Sequence, residues 1–360
     1  MSLPKNKGGA DLNSMTESRG DNLPPPPEGR SGWPWDTNSP IKQRPDAGTL
    51  PTISIVTTSY QQGQYIEGAV RSVLAQQYPN LEYIVMDGGS TDGSVDVIRK
   101  YENNLSSWVS EPDEGPAAAL RTAWSDATGE ILGFVCTDDG YYEDTFWQVA
   151  EVFANDPEVM AVTGGIDVVD VDDNLLLRRG PRDFDPARLL KGGSPPWWPC
   201  TFFRRQVIDD LGYMDESLYY IADWFYALGV GLKYRPEQMV AIENQLGFGR
   251  TWPGANTIRG YEGIIAEYRV ALDRIFSDPS LPNQLRPLEK RMRSRVKWRH
   301  AGLAGNNREP LKALKYAVQS WFMDPTLRDA VQVSLFCLKL AIPRFLRPRL
   351  RRLIGRKTTA

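Results

Sequence analysis

An apolar run, Ile131-Leu132-Gly133-Phe134-Val135, ends in Cys136-Thr137-Asp138-Asp139. Two adjacent carboxylates closing a buried strand are costly unless something neutralises them. A Mg²⁺ or Mn²⁺ ion held by one carboxylate and a bound diphosphate does so, because hard cations prefer oxygen ligands. Taken alone, the pair also fits a solvated strand-to-loop turn. Two further apolar runs end in polar residues. Ile53-Ser54-Ile55-Val56 leads into Thr57-Thr58-Ser59-Tyr60, and Tyr83-Ile84-Val85-Met86 leads into Asp87 and the turn Gly88-Gly89-Ser90-Thr91-Asp92-Gly93-Ser94. The glycines let backbone approach a ligand closely, Asp92 or Thr91 can cap a following helix, and Asp87 is placed to hydrogen-bond a base or ribose. The turn is neither a GxGxxG fingerprint nor a P-loop, which disfavours a dehydrogenase or a P-loop NTPase. Ligands of open α/β sheets bind at the carboxyl ends of strands. Three such ends imply one polar site for a phosphorylated or sugar-like ligand.

Alternating elements must position these ends. Residues 64–77 place Ile66, Ala69, Val70, Val73 and Leu74 on one helical stripe, and residues 94–101, 116–127 and 143–155 read as further helices. The βαβα order predicts a mainly parallel sheet with right-handed crossovers. A hairpin is expected from 159–169 and 175–179 around Asp172-Asp173-Asn174, then a short strand at 201–203 and helices at 205–211 and 223–230. Beyond about residue 257 the chain reads as helices only, at 261–276, 288–304, 310–322 and 326–340. Residues 1–50, with the run Pro24-Pro25-Pro26-Pro27 and few aliphatics, read as a disordered leader whose Trp33 and Trp35 could dock locally on the body.

The ordered set of motifs resembles the family 2 glycosyltransferases with the GT-A fold. The opening strand from Thr52 to Tyr60 looks like that family's first strand. The turn from Asp87 to Ser94 matches its "DDGSTDGS" element with Gly88 for the second Asp. Ser110-Glu111-Pro112-Asp113-Glu114-Gly115 and Ala127-Thr128-Gly129-Glu130-Ile131 also recur there, and Thr137-Asp138-Asp139 stands at the DXD-type metal motif. Leu211 to Leu218 and Ala222-Asp223-Trp224 follow in family order, so the resemblance covers about residues 51–250. It implies α/β architecture, a nucleotide-diphospho-sugar transferase with a Rossmann-like mixed sheet, and an all-α C-terminal appendage. The implied division is a 1–50 leader, a 51–256 transferase domain and a 257–360 helical region with a basic tail.

The resemblance also implies roles. Thr57, Ser59 and Tyr60 line the nucleotide pocket, Asp87 contacts the base, and Asp138 faces the ribose or sugar. Asp139 coordinates a divalent cation, Mg²⁺ or Mn²⁺, and Arg121 falls where similar enzymes have a polar residue near the donor. Asp223 aligns with the catalytic base of the family's "ED" motif, with Ala222 in place of the Glu; by itself such a carboxylate is usually a helix N-cap. Many relatives supply a histidine near 245–257. Here there is none, and Arg250 is the candidate to neutralise the diphosphate. Trp197 and Trp198, and less so Trp224, offer flat faces to an acceptor sugar, packing being the alternative. The implied activity is inverting transfer from a nucleotide-diphospho-sugar of UDP or dTDP type to a glycan or lipid-linked acceptor in cell-surface polysaccharide assembly. A sugar-nucleotide pyrophosphorylase is a weaker alternative, lacking its early Gly-rich basic loop, as is a non-catalytic nucleotide-sugar-binding scaffold.

Bulk properties exclude more than they assign. With 41% apolar and 11% aromatic residues in 360, the chain can bury a large core. Cys136, Cys200 and Cys337 are too few and too scattered for a disulfide framework or zinc site, consistent with a cytoplasmic setting. The net charge of −3 hides an asymmetry, since no acid follows Asp329 while eight cations do, from Lys339 to Lys357. Interleaved with Phe336, Leu338, Ile342 and Phe345, that tail suits peripheral contact with an anionic membrane surface, or equally a solvated tail. No RNA- or DNA-binding motif accompanies it, so nucleic acid is not expected as a partner.

Overall fold

A computed structural model of the chain describes residues 22–36, 47–252, 260–306 and 309–325. The first strand, β1 (Ile53–Ser59), is buried at all seven positions, as a strand covered on both faces must be. It is followed by α1 (Gly63–Leu74), β2 (Leu81–Asp87), α2 (Ser94–Lys100), β3 (Ser107–Ser110), α3 (Pro116–Asp126), β4 (Ile131–Cys136), β5 (Gly140–Tyr141) and α4 (Thr145–Asn155). The helices expected here match within a few residues. The α1 stripe of Ile66, Ala69, Val70, Val73 and Leu74 is buried throughout, because a 3.6-residue period puts these positions on one face. The chain continues through β6 (Ala161–Val169), β7 (Leu175–Arg179), α5 (Pro186–Leu190), β8 (Thr201–Arg204), α6 (Gln206–Leu211), α7 (Ala222–Lys233) and β9 (Met239–Arg250).

One nine-stranded sheet results, in the order β3-β2-β1-β4-β8-β6-β9-β5 with β7 paired to β6. The β3-β2-β1-β4 half is parallel, as the alternation requires. From β8 onward the pairing is mixed, with β4·β8, β6·β8, β6·β7 and β5·β9 antiparallel and β6·β9 parallel. Register sets the strand ends level, with Ser59 opposite Asp87 and Thr58 opposite Cys136. The strands β3, β5 and β9 escaped the sequence reading. The first two are too short to show a period, and β9 breaks register twice against Gly164, Gly165 and Ile166.

Residues 22–36 depart from the expected disordered leader. Arg71 on α1 is 2% exposed and anchors them. Its guanidinium donates to the carbonyls of Pro24 at 2.7 Å, Trp35 at 2.9 Å and Pro34 at 3.3 Å, and to the Tyr101 hydroxyl at 3.0 Å. The indole N–H of Trp33 donates to the Tyr141 carbonyl at 2.8 Å. A planar five-donor group suits several carbonyls at once, where a lysine would not.

Residues group into two compact units, one of 1–186 with 194–259, the other of 187–193 with 260–360. The described part of the second unit contains α8 (Tyr261–Ser277), α9 (Leu288–Asn306) and α10 (Pro310–Met323). On α8, Ile265, Tyr268, Leu272 and Ile275 form a buried stripe. Ala301, Ala304, Ala313 and Ala317 are buried as well, and Ser294 and Ser320 exchange hydrogen bonds of 2.9 Å between α9 and α10. The helix expected at 326–340, the basic tail and the expected 256/257 boundary lie outside the described residues. Among the described residues no helix is long and apolar enough to cross a membrane.

Arg71→Met should strand the carbonyls of residues 24–35 and cost about 3 kcal/mol, the scale of hydrogen bonds to a charged group. Denaturant unfolding and protease sensitivity within 22–36 measure this. An unchanged midpoint would show that the segment does not depend on this cation.

Candidate active site

The polar residues at the sheet's carboxyl edge come from β1, β2, β4 and β9. The turn after β2 is stapled to the turn after β1: Asp92 accepts the Gly63 N–H at 2.7 Å, and Ser90 accepts the Gln61 N–H at 2.8 Å. Burial alone would raise the Asp92 carboxyl. The N–H groups of Gly63 and Ser94 and the Ser94 hydroxyl outweigh it, so the group lies below its usual range. Asp87 is 2% exposed and accepts from the Ser90 N–H and hydroxyl and from the Ser110 hydroxyl at 2.6–2.8 Å. It organises the turn, with acceptor capacity left over. Asp113 reaches the same place from the loop after β3. Its carboxyl is raised by burial, and the Asp87 charge adds to this against an N–H bond from Gly115. A Cβ on Gly88 would lie 3.1 Å from Asp113 and 3.3 Å from the Tyr60 ring, so only glycine lets these groups close in. The sequence reading quoted Asp113 within a motif but gave it no role.

Thr57 and Ser59 differ. The Thr57 hydroxyl is fully buried and pairs with the Tyr83 hydroxyl at 2.9 Å, which is core bonding. Ser59 sits at the strand end with a buried hydroxyl that has no partner among the described residues, and Tyr60 beside it is 64% exposed.

The centre of the edge is acidic. Ligand atoms of Cys136, Asp138 and Asp139 lie within 4.8 Å of one another. Burial, and next the Asp138 charge, push the Asp139 carboxyl well above the usual carboxylate range; the backbone N–H and charge of Arg250 pull the other way. Burial also raises the Cys136 thiol, with added effects from Asp139, Asp138 and Asp223. The Asp223 charge is therefore felt at the cluster. Asp223 lies in the first turn of α7, one residue past its start at Ala222, and its Oδ1 accepts the Trp224 N–H at 2.6 Å, so it also serves the helix end. Two oxygen donors and one sulfur, with excess negative charge, fit a Mg²⁺ or Mn²⁺ ion held chiefly by Asp139, with Asp138 beside it.

Strand β9 closes over this cluster. Pairing of Gly140 with Phe248 and Tyr141 with Gly247 brings the Arg250 N–H to Asp139 Oδ1 at 3.1 Å. Trp252, which the sequence reading passed over, donates its indole N–H to Asp138 Oδ2 at 2.8 Å and packs edge-on against Tyr65. The Thr137 hydroxyl donates to Gln62 on the other side.

Five expected contacts are engaged elsewhere. The Arg250 guanidinium donates to the Asp170 carbonyl at 2.9 Å and pairs with Asp173 at 2.6 Å, leaving only Nε without a partner among the described residues. It clamps the β6–β7 hairpin. Arg121 pairs with Glu216 at 2.8 Å at an exposed position. The Trp197 ring lies under the Arg182 guanidinium at 3.6 Å, and Trp198 packs among Phe134, Phe203 and Tyr226. Trp224 is 1% exposed and belongs to the core.

A parallel half-sheet with level polar ends and an acidic cluster just after β4, continued by a mixed set of strands, is the GT-A type of nucleotide-sugar-dependent transferase fold. Solved structures share it. S. aureus TarS 1–349 in complex with UDP-GlcNAc matches with TM-score 0.54 and 17% identity over 75% of this chain and 81% of that one. The mannosyltransferase PcManGT from Pyrobaculum calidifontis, in complex with GDP-Man and Mn²⁺, matches with TM-score 0.54 and 20% identity over 86% of each chain. The model of glycosyl transferase family 2 matches residues 54–212. An uncharacterized glycosyltransferase of Mycobacterium tuberculosis is 30% identical over 191 residues, 52% of this chain and 72% of that protein. One from Nostoc is 27% identical over 168 residues, 44% of this chain and about half, 52%, of that protein's length. Bacillus subtilis TuaG, named for a presumed role in teichuronic acid biosynthesis, is 36% identical over 97 residues, 26% of this chain and 38% of its own. The chain belongs to glycosyltransferase family 2.

Two outcomes test this geometry. A carboxyl raised in the folded state contributes stability below its unfolded value, and loses it as pH rises through the folded value. In chelator, Asp139→Asn should therefore gain in thermal midpoint over wild type as pH rises above the ordinary carboxylate range, and Mn²⁺ should stabilise only the wild type. Parallel pH curves would contradict the raised carboxyl. Thr57→Val should cost about 1 kcal/mol of stability while leaving nucleotide affinity unchanged by calorimetry; a weaker nucleotide would place Thr57 in the pocket after all.

Proposed function

We propose that the chain transfers a sugar, with inversion, from a nucleotide-diphospho-sugar of UDP or dTDP type to a hydroxyl of a glycan or lipid-linked acceptor. The observation that carries this is the Cys136–Asp138–Asp139 cluster at the carboxyl edge of the sheet, level with the strand ends at Ser59 and Asp87. Asp223, in the first turn of α7, is the carboxylate that the family resemblance offers as the base. Asp223 takes the proton from the acceptor hydroxyl as its oxygen attacks the anomeric carbon. The bond from that carbon to the diphosphate oxygen breaks on the opposite face, and the nucleoside diphosphate leaves with the electron pair. A bound Mg²⁺ or Mn²⁺ would offset charge on that leaving group.

Around the reacting bond, the protein residues supply position. Asp87, Asp113, Ser59 and Tyr60 form the nucleotide end, and Asp138 faces the ribose or sugar. The TarS and PcManGT complexes, with UDP-GlcNAc and with GDP-Man and Mn²⁺, support a nucleotide-sugar donor and a cation. TuaG supports a cell-surface polysaccharide setting. Such an acceptor suits a cytoplasmic enzyme resting on the membrane through its basic tail. Arg121, Arg250, Trp197 and Trp198 would reach donor or acceptor only after releasing their present partners.

A panel of UDP-, dTDP- and GDP-sugars with Mn²⁺ or Mg²⁺ tests the proposal through release of nucleoside diphosphate. One donor should turn over, with Asp139→Ala abolishing metal-dependent release. Asp223→Ala should lower acceptor-dependent transfer by roughly 10²–10⁴-fold, the usual worth of a general base, while donor affinity persists. Donor binding without turnover by the wild type across a panel of acceptors would favour the scaffold reading.

A further inference from the structure

The second unit holds a pocket of about 480 Å³ lined by four cations, Arg188, Lys191, Arg295 and Arg299, with the indole of Trp298 and the backbone of Gly192 and Gly193. Among the described residues no carboxylate lines it. We propose that this pocket is an anion site for a phosphate or diphosphate group, separate from the nucleotide site at the sheet edge, with Trp298 flanking whatever the phosphate is attached to.

Sequence spacing builds the pocket. Arg295, Trp298 and Arg299 stand at i, i+3 and i+4 on α9 and so share one face. The 187–193 turn supplies the other wall. Gly192 has φ +89°, and a Cβ there would lie 3.2 Å from Arg295 Cγ, so glycine is what lets the turn close on the helix. The turn's amides are already used, Lys191 N–H to the Ala187 carbonyl, Gly192 N–H to Leu189 and Gly193 N–H to Arg188. An anion would therefore be held by side chains rather than by a backbone nest. The Arg299 guanidinium is steadied over the Tyr268 ring at 4.6 Å. Neither Lys191 nor Arg299 has a carboxylate partner among the described residues.

The surrounding potential is independently positive. Helix α9 carries Lys290, Arg291, Arg293, Arg295, Lys297 and Arg299 against the single acid Glu289. His300, on the same helix, is lowered to about 4 by burial and then by Arg269, Lys297 and Lys312. Lys297 is lowered in turn by burial, Arg269 and Lys315. Arg293 is paired with Asp273 and Glu289, and Arg291 stands 3.9 Å from Asp324, so the charge left for an anion is that of the pocket-lining side chains, which a phosphate would engage through charge-assisted, fork-like hydrogen bonds to arginine. Two sources present that chemistry: the headgroup of an anionic lipid, or a soluble phosphorylated molecule.

The probe is inorganic pyrophosphate, titrated calorimetrically into the full chain in chelator, so that no cation links it to Asp138 and Asp139. The wild type should bind, more weakly as ionic strength rises. Arg295→Ala with Arg299→Ala should weaken binding at least about tenfold, and the paired Lys replacements should restore part of it. Lys191→Glu, at an exposed position, gives a second reading should the double variant misfold. Asp139→Ala should bind as wild type, which keeps this result separate from the fate of the transfer reading. Sedimentation with phosphatidylcholine vesicles, with and without an equal share of phosphatidylglycerol, assigns the source. Lipid-dependent sedimentation lost in the variants indicates a headgroup, and pyrophosphate binding without it indicates a soluble ligand. Absent pyrophosphate binding, or binding unchanged in both sets of variants, overturns the proposal.

Discussion

Two carboxylates crowded at the end of a buried strand set the terms for everything around them. Asp138 and Asp139 cannot be solvated as they would be in a loop, and the Asp139 carboxyl is pushed up in response. The chain meets this charge with donors: the Arg250 amide on one oxygen of Asp139, and the Trp252 indole on Asp138. Those donors offset part of the burial cost and leave a residue of negative charge. A site that is under-compensated in this way is poised for a cation. The same logic explains why Gly140 pairs so closely with Phe248, and Tyr141 with Gly247, since a wider separation would withdraw the amide.

The first half of the molecule was legible because its signals are local. Apolar runs of strand length, a helical stripe from Ile66 to Leu74, and polar residues closing each run all act over a few residues. They led to the parallel half-sheet, to Ser59, Tyr60 and Asp87 at one edge, and to Asp138 and Asp139 beside them. What remained hidden depends on partners far along the chain. Strand β9 exists through its pairing with β6 and β5, and nothing in Glu243-Asn244-Gln245 announces it. Thr57 illustrates the limit of counting along a strand. Two positions in from the strand end it already lies within the sheet, where the hydroxyl of Tyr83 on the neighbouring strand claims it.

Arginines were the least readable residues. Arg121 and Arg250 were expected at the donor, yet each reaches a carboxylate outside it, Glu216 and Asp173. Long side chains choose among partners that only the folded surface presents. Arg71 makes the reverse point. Nothing near it in sequence marks it as buried, yet it gathers three carbonyls from residues 24–35 and ties that segment to α1.

The closure of β9 over Asp139 also orders events in time. Asp139 and the amide that steadies it are 111 residues apart in the chain. A ribosome adding roughly 5–20 residues per second needs on the order of ten seconds to cover that interval. Until then the acidic strand end stands open, and even the stretch matched by the family model, 54–212, stops short of the strand that completes it. Completion of the acidic strand end is thereby a late step of biogenesis, and a chain cut short before β9 would carry the acidic motif without the amide that steadies it.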